Sequence, residues 1–212
     1  MVITYFGKSF LKIVLGDLVI AANPYEEHKD KEHKATKFGA DIALSSLASP
    51  DFNAIENASF ADKTPFVARG PGEYEIGGVY IKGIHGGERA DKLINTTYAV
   101  LLDGIRLAIF GGFNGKVSAE MKEELGEIDV LFIPVGGGSV LSPKDAYGTA
   151  TFLEPKIIIP TQYEIHSGEK DALQVFLKEA GAPSADILPK LTIKKKDIEE
   201  KEGEVLVLAD VS

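Results

Sequence analysis

The sequence predicts an α+β domain with its sheets covered by helices. Three observations carry this reading. Short β-branched and aromatic runs separated by glycine fill the first half of the chain. An Asp-Gly pair, Asp103-Gly104, sits between two apolar runs, a strong hairpin signal. Beyond residue 116 the rhythm changes to continuous apolar strands alternating with helical faces, and antiparallel strands followed by strand–helix–strand units imply helices packed on sheets. A chain of 212 residues suits one domain spanning 1–212. It buries roughly 70% of its unfolded surface, so it needs no disulfide or metal staple.

In order along the chain, residues 2–6, 10–15 and 18–22 read as a meander broken at Gly7 and Gly16-Asp17. Residues 26–37 are charged without apolar period, a solvated loop or weak helix. Ala40 to Ser45 reads as a buried strand. Phe66-Val67-Ala68, Tyr74-Glu75-Ile76 and Val79 to Lys82 are strands around turns at Gly70-Pro71-Gly72 and Gly77-Gly78. Thr97 to Leu102 and Ile105 to Phe110 form the hairpin. Val117, Met121 and Leu125 share one helical face. Val130 to Pro134 is a continuous apolar strand. Ser142 caps a helix that Pro143 and Asp145 favour and that ends before Pro155. Ile157 to Ile159 is a further buried strand. Residues 169–180 carry Leu173, Phe176 and Leu177 on one face, with Gly181 as terminator. Gly203 to Ala209 reads as a closing strand.

Composition excludes several function classes. With no cysteine there is no disulfide scaffold, zinc ribbon, Fe–S cluster or thiol catalysis. A net charge of −9 disfavours nucleic acid and anionic membrane as partners. No apolar run approaches the ~20 residues of a membrane span, and the N-terminus starts as a strand rather than a signal peptide. The expectation is a cytoplasmic, soluble protein.

Candidate chemistry is sparse. Gly136-Gly137-Gly138 lies between a strand and a helix, as a phosphate loop would. It lacks both the P-loop spacing and G-x-G-x-x-G, and the plainer reading is a close backbone approach. Of the four histidines, His28 and His33 fall in the charged stretch. His85 beside Gly86-Gly87 is either a cleft or a turn residue, and His166 precedes a plausible cap at Ser167. Glu73 and Glu75 face one side of a strand, as an acid–base pair or as an exposed hairpin pair. No G-x-S-x-G nucleophile elbow is present.

Several phrases occur in a telling order: Ile3-Thr4-Tyr5-Phe6-Gly7, Asn23-Pro24-Tyr25, Ala40-Asp41-Ile42-Ala43-Leu44, and Gly70-Pro71-Gly72-Glu73-Tyr74-Glu75-Ile76-Gly77-Gly78. Then follow Ile105 to Gly111, Ile128-Asp129-Val130 to Gly137, Lys144-Asp145-Ala146, and Leu153-Glu154-Pro155 to Pro160. Together they resemble the metallo-β-lactamase superfamily, nearest the small metal-dependent hydrolases that include the ascorbate-phosphate lactonases. The resemblance spans nearly the whole chain. It implies a four-layer αββα sandwich with the site at one edge of the two sheets.

The resemblance also implies a metal motif, Thr-His-x-His-x-Asp-His, which this chain lacks. Its histidine positions hold Leu47, Ser49 and Phe52, and only Asp51 keeps its ligand type. The bridging aspartate is replaced by Gly112, and the last histidine, before Tyr163, by Gln162. Lys8 stands where a histidine often follows the glycine, and Asn23 where an aspartate precedes the proline. One further family histidine falls near residues 85–91, where His85 lies. A catalytic zinc needs about three protein ligands, and Leu47, Phe52 and Gly112 offer no ligand atom. No cofactor is expected, with zinc or manganese only at a relocated site.

The leading expectation is a non-catalytic protein of this fold that acts by binding a ligand or a protein partner. A hydrolase acting on a lactone or phosphoester through a relocated metal, or through metal-free acid–base chemistry by Asp51, His85, Glu73 and Lys8, is the alternative, and requires those groups to converge. A structural module that forms a homo-oligomer is the third.

Overall fold

The computed structural model describes residues 1–26, 36–88, 91–163 and 168–212. The charged stretch with His28 and His33, and the His166-Ser167 pair, lie outside the described residues. In chain order the strands are β1 (Val2–Tyr5), β2 (Leu11–Leu15), β3 (Leu18–Ala22), β4 (Ile42–Ser45), β5 (Phe66–Arg69), β6 (Gly72–Ile76), β7 (Val79–Glu88), β8 (Ile94–Leu102), β9 (Ile105–Ile109), β10 (Val130–Pro134), β11 (Ile157–Thr161), β12 (Ile187–Leu188), β13 (Leu191–Thr192), β14 (Glu204–Val205) and β15 (Val207–Leu208). The helices are α1 (Ala119–Leu125), α2 (Pro143–Leu153) and α3 (Ala172–Glu179).

Two sheets stack face to face. One runs β13-β1-β2-β3-β4-β5 and the other β14-β11-β10-β9-β8-β7-β6. The meander of β1, β2 and β3 is antiparallel, whereas β4 and β5 join parallel to β3 and β4. In the second sheet β6 to β9 are antiparallel and β9, β10, β11 and β14 are parallel. Asp103 and Gly104 both have positive φ, 52° and 69°, as a two-residue turn of type I′ demands.

Alternation sorts the side chains between two cores. Val130, Phe132, Ile157 and Ile159 face the opposite sheet with Ile3, Ile13 and Ile20. Leu131, Ile133 and Ile158 face the helices, with Met121, Leu125, Ala146, Ala150, Leu173 and Phe176. Strands buried on both faces therefore read as unbroken apolar runs. Each buried Leu, Ile or Phe contributes roughly 1.5–3 kcal/mol over leaving it exposed. The outer face of the six-stranded sheet is covered by Phe6, Phe10, Tyr25 and Phe38 and by the 3₁₀ turn Ile55–Ala58, with Phe10 and Phe38 stacked 5.5 Å apart. Two sheets between helices on one side and this aromatic cover on the other give the α+β sandwich that the sequence predicts.

The helix ends follow the expected chemistry. Ser142 Oγ accepts the Asp145 amide, Pro143 opens α2, and Glu154 closes it in the left-handed region just before Pro155. Two expectations need correction. Gly203 to Ala209 is not one closing strand: β14 extends the seven-stranded sheet, whereas β15 pairs with β12. Leu206 still donates its amide to Ile158 before the chain turns away. The strand expected at Val79 to Lys82 runs on to Glu88. Gly83 hides this, since glycine argues against a strand, yet a Cβ there would lie 2.6 Å from the Gly70 carbonyl.

Candidate functional site

The C-terminal ends of β4, β9 and β11 meet the loops after β1 and β3. At this meeting point four residues adopt left-handed φ: Lys8 at 48°, Asn23 at 54°, Gly111 at 56° and Gln162 at 57°. Non-glycine residues there cost of order 1–3 kcal/mol each and persist only where surroundings enforce them. The enforcement is visible. The Lys8 carbonyl accepts from the Tyr5 hydroxyl at 2.8 Å and from the Gln162 amide at 2.7 Å. The Asn23 amide donates to Leu44 at 2.7 Å.

Side chains fill the centre. Asn23 Oδ1 accepts from both the amide and the hydroxyl of Ser46, at 2.9 and 2.7 Å. Gln162 Nε2 donates to Ser9 Oγ at 2.6 Å and to the Gly111 carbonyl at 3.3 Å. Ser9, Asn23, Ser46 and Gln162 are all buried. Asn23 Nδ2 is buried without a hydrogen-bond partner and lies beside Gly111. A Cβ on Gly111 would fall 1.9 Å from Ser46 Oγ, so only glycine fits. Together these neutral groups form a buried knot.

The other predicted positions follow these residues in the chain or bond to Lys8. Leu47 and Phe52 are buried apolar residues, and the turn between them is closed by Ser49 and Phe52 amides donating to the Leu47 and Ser49 carbonyls. Gly112 follows Gly111 in the buried loop after β9. Lys8 Nζ hydrogen-bonds Asp51 Oδ1 and stands 4.6 Å from the centre of the Tyr25 ring. Hydrogen bonds thus join Asn23 to Ser46, Gln162 to Ser9, Gly111 and Lys8, and Lys8 to Asp51, while Leu47 and Gly112 follow Ser46 and Gly111 in the chain and Ser49 and Phe52 lie in the turn beyond Leu47. Ser9 and Ser46, which sequence reasoning missed, complete the knot. Serines carry no motif here, and only the fold brings them to Gln162 and Asn23.

Of Asp51, His85, Glu73 and Lys8, the structure bonds Lys8 to Asp51, and His85 pairs on β7 with Thr96 of β8, whose amide donates to Ser46. His85 is exposed on β7, at a bulge, and its Nδ1 accepts from the Gly87 amide. That is the turn role. Glu73 and Glu75 are exposed on the edge strand β6, where Glu73 meets the Tyr80 hydroxyl. Burial and then the hydrogen bond to Glu73 raise the Tyr80 pKa. The Gly136–Gly138 loop is a close backbone approach, not a phosphate cradle. Gly137 donates to the Leu141 carbonyl, and the Glu169 side chain packs where a Cβ on Gly137 would lie. A carboxylate over the loop opposes a second anion.

The sequence profile described as "Beta-lactamase superfamily domain" matches residues 2–162, well over half of the chain. The chain belongs to the metallo-β-lactamase superfamily. A metal-dependent hydrolase of Listeria monocytogenes is 28% identical over 198 residues, covering 77% of this chain and 85% of its own. A metal-dependent hydrolase of Lysinibacillus sphaericus is 25% identical over 206 residues, covering 83% and 91%. A crystal structure from Thermotoga maritima, of a superfamily protein proposed to be a Zn-dependent hydrolase, superposes with a TM-score of 0.79. It has 26% identity and covers 98% of this chain and 99% of its own. A metallo hydrolase of Ignicoccus hospitalis shares the fold with a TM-score of 0.66 at 19% identity, covering 91% and 99%.

The superfamily and these relatives' names imply a metal, and the residues at this point do not fit one. Leu47, Phe52 and Gly112 have no donor atom. The Asp51 carboxylate carries an ammonium, and the Asn23 oxygen and the Gln162 amide nitrogen are engaged with serines. Among the described residues no three His, Asp or Glu side chains form a metal-binding group. No helix among the described residues is long and apolar enough to cross a membrane.

Proposed function

We propose that this chain is a non-catalytic member of the superfamily that acts by binding a ligand or a protein partner. The observation that carries this reading is the neutral knot of Ser9, Asn23, Ser46 and Gln162. Its polar side chains bond one another and the Gly111 carbonyl, and among the described residues the knot itself holds no ionisable side chain to activate water or take a proton. Hydrolysis assays on lactone and phosphodiester substrates, with and without zinc and manganese, test it. The expected result is no turnover above the uncatalysed rate under either condition. Turnover that depends on added metal would instead support the hydrolase reading that the relatives' names suggest.

A further inference from the structure

Asp51 is the one carboxylate left among the family's ligand positions, and the structure gives it a cation. We infer that Lys8 is a tethered positive charge that serves Asp51 in place of a metal ion. Three features support this. The Lys8 ammonium hydrogen-bonds Asp51 Oδ1. Its other side faces the Tyr25 ring, which favours a cation. Its backbone is pinned in the left-handed region by two hydrogen bonds to one carbonyl, which fixes the position from which the side chain reaches Asp51.

The consequence is chemical. A divalent cation approaching Asp51 meets a positive charge already bonded to it, and like charges at such separations repel, with solvent screening part of the repulsion because both side chains reach water. Behind Asp51 the neutral knot offers no second carboxylate or imidazole to repay displacement of the ammonium. The mismatch with a metal centre is therefore active exclusion as well as loss of ligands. This deepens the non-catalytic reading and rests on it for biological meaning, though not for its test.

The experiment compares the full-length wild type, Lys8→Met, Asp51→Asn and the double variant, using zinc chloride as the probe. Equilibrium dialysis with elemental analysis reads zinc uptake, and thermal unfolding with and without EDTA reads stability. The wild type is expected to have a midpoint unmoved by EDTA or zinc. The lone Asp51 carboxylate binds zinc only weakly, at millimolar levels of the probe, and Lys8→Met is expected to lower the zinc concentration needed for that weak uptake about tenfold, a gain that Asp51→Asn in that background is expected to abolish. If Lys8→Met does not fold, Lys8→Gln removes the charge while keeping the length. Equal zinc uptake by wild type and the Lys8 variant would overturn the inference. So would wild-type stabilisation by zinc that vanishes in Asp51→Asn. Metal-free hydrolysis by the wild type would overturn the non-catalytic reading and leave the role of Lys8 standing.

Discussion

Two polar clusters sit at opposite ends of the central strands and solve burial in different ways. At the C-terminal ends lies the neutral knot around Gly111. At the N-terminal ends of β10 and β11 lies Asp129, whose side chain is only 7% exposed. It accepts from the Arg106 amide at 2.9 Å, from Lys156 at 3.0 Å and from Lys195 at 2.7 Å. Burial alone would raise the Asp129 pKa. The Lys195 hydrogen bond, with the Arg106 amide and Lys156, outweighs it and holds the carboxyl below the usual carboxylate range. A buried charge needs charged partners, and Asp129 draws two, Lys156 and Lys195, beside the neutral Arg106 amide. The neutral knot needs only hydrogen bonds, and it closes within itself apart from Asn23 Nδ2. The first arrangement depends on pH and the second does not.

The largest expected effect breaks the knot by volume. Gly111→Ala places a methyl group against Ser46 on a left-handed backbone. It should cost about 3–5 kcal/mol in urea denaturation or prevent folding. Asp129→Asn comes next, leaving two lysines facing a neutral amide, at about 2–3 kcal/mol at pH 7. Because the folded pKa of Asp129 is depressed, its contribution is present above the unfolded value near ~3.9 and is lost as pH falls through the folded value. The wild type and Asp129→Asn should therefore converge in stability as urea titrations are taken from pH 7 into strong acid. Gln162→Ala should cost about 1–2 kcal/mol, by removing the Nε2 hydrogen bonds to Ser9 and the Gly111 carbonyl and leaving these two only their own 3.4 Å hydrogen bond, with a loss that stays flat over the same range. A loss that grew or shrank with pH would mean that a charged group reaches the knot. Lys8→Met is the smallest, under about 1 kcal/mol and reduced further in high salt, since both members of its ion pair are partly exposed.

Much of this was legible in order along the chain. The meander, the Asp103-Gly104 hairpin, the cap at Ser142 and the apolar runs of β10 and β11 all follow from local chemistry, which acts over a few residues and leaves a period or a turn signal. The two-residue strands β12 and β13 leave none, because two residues cannot show alternation. The split of the closing strand into β14 and β15 was equally silent, since its cause is which sheet edge lies alongside.

The sequence by itself determined the superfamily resemblance and the loss of its ligand residues at Leu47, Phe52 and Gly112, because residue identity alone decides whether a donor atom exists. Only the tertiary structure decided what replaced them. Ser9, Asn23, Ser46 and Gln162 are far apart in the chain, and hydrogen bonds between them are matters of a few tenths of an ångström. Lys8 reaches Asp51 across 43 residues because two loops meet at one sheet edge.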